Sequence, residues 1–162
     1  MRRFAAWTSG WIGHTIPASM TRLAPALVSL WLASCSSGSD APPTGPVTFA
    51  AQPMMTVMSS TDQLRIDVWT APQQPPSRGV QTIQLVISDP TTGSPETGLA
   101  LGVLPWMPAM GHGASLTPNV TEGPPGTYVV GDVDFFMPGT WELRTTIPGP
   151  VVDHAAPSFQ IP

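Results

Sequence analysis

The chain has 162 residues, with 21 prolines, 15 glycines, only 10% charged side chains and a formal charge of −4. Its basic residues are six arginines and no lysine, so it lacks the basic patch that neutralises phosphates, and nucleic-acid binding is excluded. A lone cysteine, Cys35, can form neither an intramolecular disulfide nor a thiolate cluster for zinc or iron–sulfur. Proline and glycine at this density cut the chain into runs too short for long helices but adequate for strands, which predicts an all-β body.

In chain order, residues 1–34 carry Arg2, Arg3 and Arg22 with no acidic residue, and Leu23 to Leu32 is an apolar run of signal-peptide length. It is shorter than the roughly 20 residues that a membrane-spanning helix needs. Met20-Thr21-Arg22 makes a compact positive segment before that run, so Met20 is an alternative start. The run ends in Leu32-Ala33-Ser34-Cys35, which resembles a bacterial lipobox. That resemblance implies cleavage before Cys35, lipidation of its thiol and membrane attachment through the lipid anchor. Beyond Ser34 three arginines, Arg65, Arg78 and Arg144, face all ten carboxylates, so that part is distinctly acidic. Residues 35–46 read as the acylated cysteine and a flexible tether, able to hold a domain up to roughly 30 Å from the lipid. A serine after the cysteine resembles the outer-membrane sorting signal of lipoproteins, which implies the periplasmic face of the outer membrane.

Residues 47–162 show period-two patterning between turn signals. Gln63 to Thr70 places Leu64, Ile66 and Val68 on one face, and Gln81 to Ser88 does so with Ile83, Leu85 and Ile87. Leu99 to Leu104, Thr127 to Val133 and Thr140 to Ile147 are further strands. Short runs near Met54 to Met58, Ala114 to Val120 and Ser158 to Ile161 bring the total to seven or eight. The expected architecture is an Ig-like antiparallel β-sandwich. Gly126-Thr127-Tyr128 resembles a tyrosine corner, against the alternative of an ordinary half-buried strand tyrosine.

Trp106-Met107-Pro108-Ala109-Met110-Gly111-His112-Gly113 brings two thioethers and an imidazole within six residues. Such soft donors suit copper, Cu(I) especially. On a strand Met107 and Met110 would point to opposite faces, so a site here requires a turn, which Pro108 and Gly111 favour. Met107, Met110 and His112 are the candidate ligands, with Met137 of Phe136-Met137-Pro138-Gly139 as a fourth. The alternative is that both Met-Pro turns are sandwich corners, with Met107, Met137, Trp106 and Trp141 packed at one end of the core. Met54, Met55 and Met58 would add thioethers only if their strand lay near this loop. His154 either pairs with Asp153 or is solvated in a proline-rich tail, and Asp132 and Asp134 share a strand face.

Leu104 to Gly113, followed by Gly126-Thr127-Tyr128 and then by Phe135 to Leu143 with its Met137-Pro138-Gly139-Thr140-Trp141, resembles the YtkA-like domain family across roughly residues 54–149. The resemblance implies a small envelope-facing sandwich, and the similar FixH-like proteins are associated with assembly or copper supply of respiratory oxidases. No G-x-S-x-G, H-E-x-x-H or phosphate-binding loop occurs, so a non-enzymatic module is expected. Two functions stay open: a lipid-anchored accessory module binding Cu(I) and serving an unidentified envelope protein, or a structural or protein-interaction sandwich without metal.

Overall fold

The computed structural model describes residues 46–149 and 152–162. The expected signal peptide, Cys35 and all of the tether except Pro46 lie outside the described residues. The strands, in order, are β1 (Met55–Met58), β2 (Arg65–Ala71), β3 (Gly79–Ser88), β4 (Gly102–Met107), β5 (His112–Gly113), β6 (Asn119–Glu122), β7 (Thr127–Phe135), β8 (Gly139–Ile147), β9 (Asp153–Ala155) and β10 (Ser158–Ile161). They form two antiparallel sheets, ordered β1-β2-β3-β7-β6 and β10-β8-β4-β5, with β9 also on β8. Taking β2, β3, β4, β5, β7 and β8 as strands A, B, C, C′, E and F, with β6 as D and β9–β10 as G, the neighbours are those of an Ig-like sandwich. β1 is an added edge.

The alternation anticipated from sequence supplies the core. Ile66 and Val68, Ile83, Leu85 and Ile87, Tyr128 and Val130, and Trp141 and Leu143 are all buried and pack into one cluster between the sheets. Each such side chain contributes about 1.5 to 3 kcal/mol on leaving water. The period breaks once in β7, where Ile83 faces Val130 but Gln81 faces Val133. The additional β7 residue is a bulge that puts Asp132 at φ 58°, where Asn119 Nδ2 donates to its carboxylate at 2.5 Å. The alternation resumes at the bulge, so Asp132 and Asp134 flank buried Val133 and share the outer face as expected.

Two strands exceed the expected number. β5 is a two-residue return too short to carry a period, and β9 occupies the expected tail. The strand expected at Leu99 to Leu104 instead begins at Gly102 and runs to Met107. Residues before it are diverted: the Leu99 amide donates to the Tyr128 hydroxyl at 3.1 Å, and the Leu101 amide to the Leu99 carbonyl. Pro105 is tolerated within β4 because its carbonyl accepts from Ala114 on the side where β5 ends. Its nitrogen, which has no proton, faces that same side.

Tyr128 is fully buried, and its hydroxyl donates to the Glu96 carbonyl at 2.9 Å. It ties back to upstream backbone as anticipated. However, it stands on the E-like strand and grips the distant β3–β4 connection, whereas a tyrosine corner belongs to strand F.

The turn after β1 is fastened to β9. The Ser60 amide donates to the His154 carbonyl at 2.8 Å, and Asp153 accepts Ser60 Oγ at 2.7 Å and Thr61 Oγ1 at 2.6 Å. The β9–β10 edge of one sheet therefore lies over the β1 edge of the other, leaving β5 on the β6 side.

Candidate functional site

Met107 ends β4 and His112 opens β5, and the two are register partners across the hairpin. Directly opposed residues of an antiparallel pair share a sheet face. Met107 is buried in the core, so His112 also faces inward, half-buried at the sheet edge. The turn required between Met107 and Met110 is present. The Met107 carbonyl accepts the amides of Met110 at 3.2 Å and Gly111 at 3.0 Å, and Gly111 adopts φ 67°, a conformation that glycine takes without strain. Met110 is carried to the hairpin tip and stands 59% exposed.

The second Met-Pro turn closes over the first. Trp141 is buried, and its indole N–H donates to the Met137 carbonyl at 2.9 Å, fixing the path from β7 into β8. Gly139 has φ 126°, and a Cβ built there would lie 2.6 Å from the Met107 methyl. Met107 thus occupies the space that the glycine leaves free. Phe136, at the start of the turn, stacks on the His112 ring with centroids 5.8 Å apart and planes 20° apart. Phe136 then meets Trp141 edge-on at 5.3 Å, which connects the imidazole to the core aromatics.

The candidate ligands consequently separate into two groups. Met107 and His112 are joined through the two interlocked turns, and Met137 sits in the second turn, half-buried against the core, whereas Met110 projects into solvent. Met54, Met55 and Met58 flank the β1 edge, on the opposite side of the sandwich from β5, and add no thioether. His154 is exposed on β9, with its amide rather than its ring bound to Asp153, at 2.8 Å.

Sequence reasoning missed three residues, two at this site and one at the far edge of the sandwich. Phe136 and Gly139 lie within a quoted motif, but their contacts are with residues about 25 to 30 positions upstream, which local spacing does not display. Asp153 is the third, a buried carboxylate whose partners sit more than 90 residues earlier. Burial alone would raise its pKa, but hydrogen bonds from Ser59, Thr61, Ser60 and the His154 amide outweigh it and hold the carboxyl well below the usual range.

Among the described residues no group of three or more His, Cys, Asp or Glu is placed to hold a metal. A metal at this end would rest on thioethers with one imidazole, a donor set that fits Cu(I) and no hard divalent cation. The His112 Nδ1 lies 3.2 Å from the Gly113 carbonyl, an arrangement in which Nδ1–H donates and Nε2 would be the nitrogen left to offer a metal.

Several of the motif residues have evident structural work. Gly126 takes φ 73°, and a Cβ there would come within 2.7 Å of the Ile87 carbonyl oxygen. Tyr128, Gly139 and Trp141 hold the connections already described.

Searches of curated proteins and of solved structures returned no match. The YtkA-like family model matches residues 53–146, more than half of the chain, and that span contains both Met-Pro turns, the Gly126-Thr127-Tyr128 strand entry and the sandwich strands from β1 to nearly the end of β8. With the two turns interlocked in a β-sandwich and the family model covering both, the chain belongs to the YtkA-like family.

Proposed function

We propose that this protein is a lipid-anchored, non-enzymatic accessory module of the bacterial envelope that holds Cu(I) as cargo at the Met107–His112–Met137 end and passes it to an envelope partner. The observation that carries this reading is the register pairing of Met107 with His112, which sets a thioether and an imidazole on one sheet face beside the Met137 turn. Soft sulfur with a neutral imidazole nitrogen favours Cu(I) over the abundant hard cations. The anchor is Cys35, and attachment at the periplasmic face of the outer membrane would put the site in the compartment where exported copper is met.

A second reading has its own support. Met107 is only 5% exposed, and its methyl fills the space above Gly139, as expected of a sandwich corner packed for stability alone. Copper competition separates the two. The full chain, purified in detergent, is titrated with Cu(I) against a chromophoric Cu(I) chelator. The copper reading expects one equivalent to be withdrawn, and expects His112→Ala combined with Met137→Ala to lose at least about tenfold in affinity while the far-UV spectrum is kept. Failure of the parent protein to compete at stoichiometric metal leaves the packing reading. Radiolabelled palmitate incorporation, abolished in Cys35→Ala, tests the anchor.

A further inference from the structure

We infer that Met110 is the exchange ligand of this site: it takes up incoming Cu(I) and hands it on, while Met107, His112 and Met137 retain it. This inference rests on the copper reading above. Three observations lead to it.

The first is a gradient of exposure along one short hairpin. Met107 is 5% exposed, His112 is half-buried and Met110 is 59% exposed. The second is the covering of the inner donors. Phe136 lies against one face of the His112 ring, and the Met107 methyl is turned onto Gly139. A metal carried by another molecule meets neither donor first. The third is that Met110 has no packing role to account for it. It is absent from the hydrophobic core and its partly buried surround, although Met137 and Met107 both belong there.

The backbone fixes this arrangement. Both the Met110 and Gly111 amides bind the Met107 carbonyl, so the exposed thioether is held three residues from the buried one. Ligand exchange at Cu(I) is associative: a new donor binds before an old one leaves. An accessible thioether on the same hairpin as the enclosed Met107 and His112 shortens each such step without adding to the resting coordination.

The test separates rate from equilibrium. Met110→Leu keeps the apolar surface and removes the sulfur. In the full chain in detergent, equilibrium Cu(I) affinity is read by chelator competition, and transfer to and from the chelator by stopped-flow absorbance. The expected result is an affinity within about threefold of the parent, with loading and release both slowed by about tenfold or more, since affinity is the ratio of the two rates. Unchanged rates overturn the inference and make Met110 a bystander. An affinity loss of about tenfold or more also overturns it, because Met110 is then a resident ligand. If the parent chain fails to bind Cu(I), the copper reading itself falls and this inference with it.

Discussion

The methyl group of Met107 occupies the position that a side chain at Gly139 would need, with only 2.6 Å between them for an ideal Cβ. This contact joins the two Met-Pro turns, which are more than 25 residues apart in the chain. The glycine is also required by its backbone, since φ 126° lies outside the range that L-residues adopt readily. Gly139→Ala is therefore expected to destabilise the domain by about 1 to 3 kcal/mol. Urea unfolding would show this as a lower midpoint with an unchanged slope. An unchanged midpoint would mean that the turn relaxes freely and that the interlock contributes nothing.

Asp153 fixes the β1–β2 turn to β9 through Ser60, Thr61 and the His154 amide. Its carboxyl is held below its ordinary pKa in the folded chain. A depressed folded pKa gives stability that is fully present above the unfolded value near 3.9 and is lost as pH falls through the folded one. Asp153→Asn is expected to cost about 2 to 3 kcal/mol at pH 7, the scale of hydrogen bonds to a charged group. The difference between parent and variant should shrink as pH is lowered from 5 toward 2. Asp89, whose pKa is also lowered by hydrogen bonds from Thr92 and Thr91, is common to both chains and cancels in that difference. A gap independent of pH would show that ionisation of Asp153 is not what stabilises the turn.

Tyr128 makes a third test, because its buried hydroxyl both donates to Glu96 and accepts from Leu99. Tyr128→Phe leaves both backbone groups without that partner and should cost about 1 to 3 kcal/mol. Burial raises the phenol pKa, despite the opposing hydrogen bond from Leu99. Above pH 10 the unfolded chain then releases a proton that the folded chain keeps, so stability falls as pH rises. The Phe variant should lack that alkaline loss in thermal unfolding, and an identical alkaline slope in both chains would assign it elsewhere.

The parts of this fold legible in the sequence are those written in nearest-neighbour pattern. Ile83, Leu85 and Ile87 alternate with polar residues and are buried as that alternation requires. The turn after Met107 was legible because Pro108 and Gly111 punctuate the run between Met107 and His112. What the pattern could not convey is contact across long separations. β9 holds its place through Asp153 and partners more than 90 residues upstream, while its three residues show too little alternation to read. The division between an enclosed Met107 and an exposed Met110 was equally hidden, because spacing within a loop specifies which residues are near but not which are covered.

The far edge of the second sheet gives a sharper test, since there a missing proton has been answered by a side chain. β9 and β10 keep one register along β8, with Ala155 opposite Thr145 and Ser158 opposite Glu142. Between them lie Ala156 and, opposite Leu143, Pro157. Its carbonyl accepts the Leu143 amide at 2.9 Å, but proline has no N–H to return to the Leu143 carbonyl. The buried Thr145 hydroxyl donates to that carbonyl instead, at 3.2 Å. Thr145→Val preserves the shape and removes the donor, leaving a buried acceptor unpaired at a cost of about 1 to 3 kcal/mol. Thr145→Ser keeps the hydroxyl and should recover most of that loss, apart from the missing methyl. Guanidinium unfolding of the three chains checks this ordering. If Val equals or exceeds Thr while Ser is weakest, methyl packing rather than the hydrogen bond secures this edge.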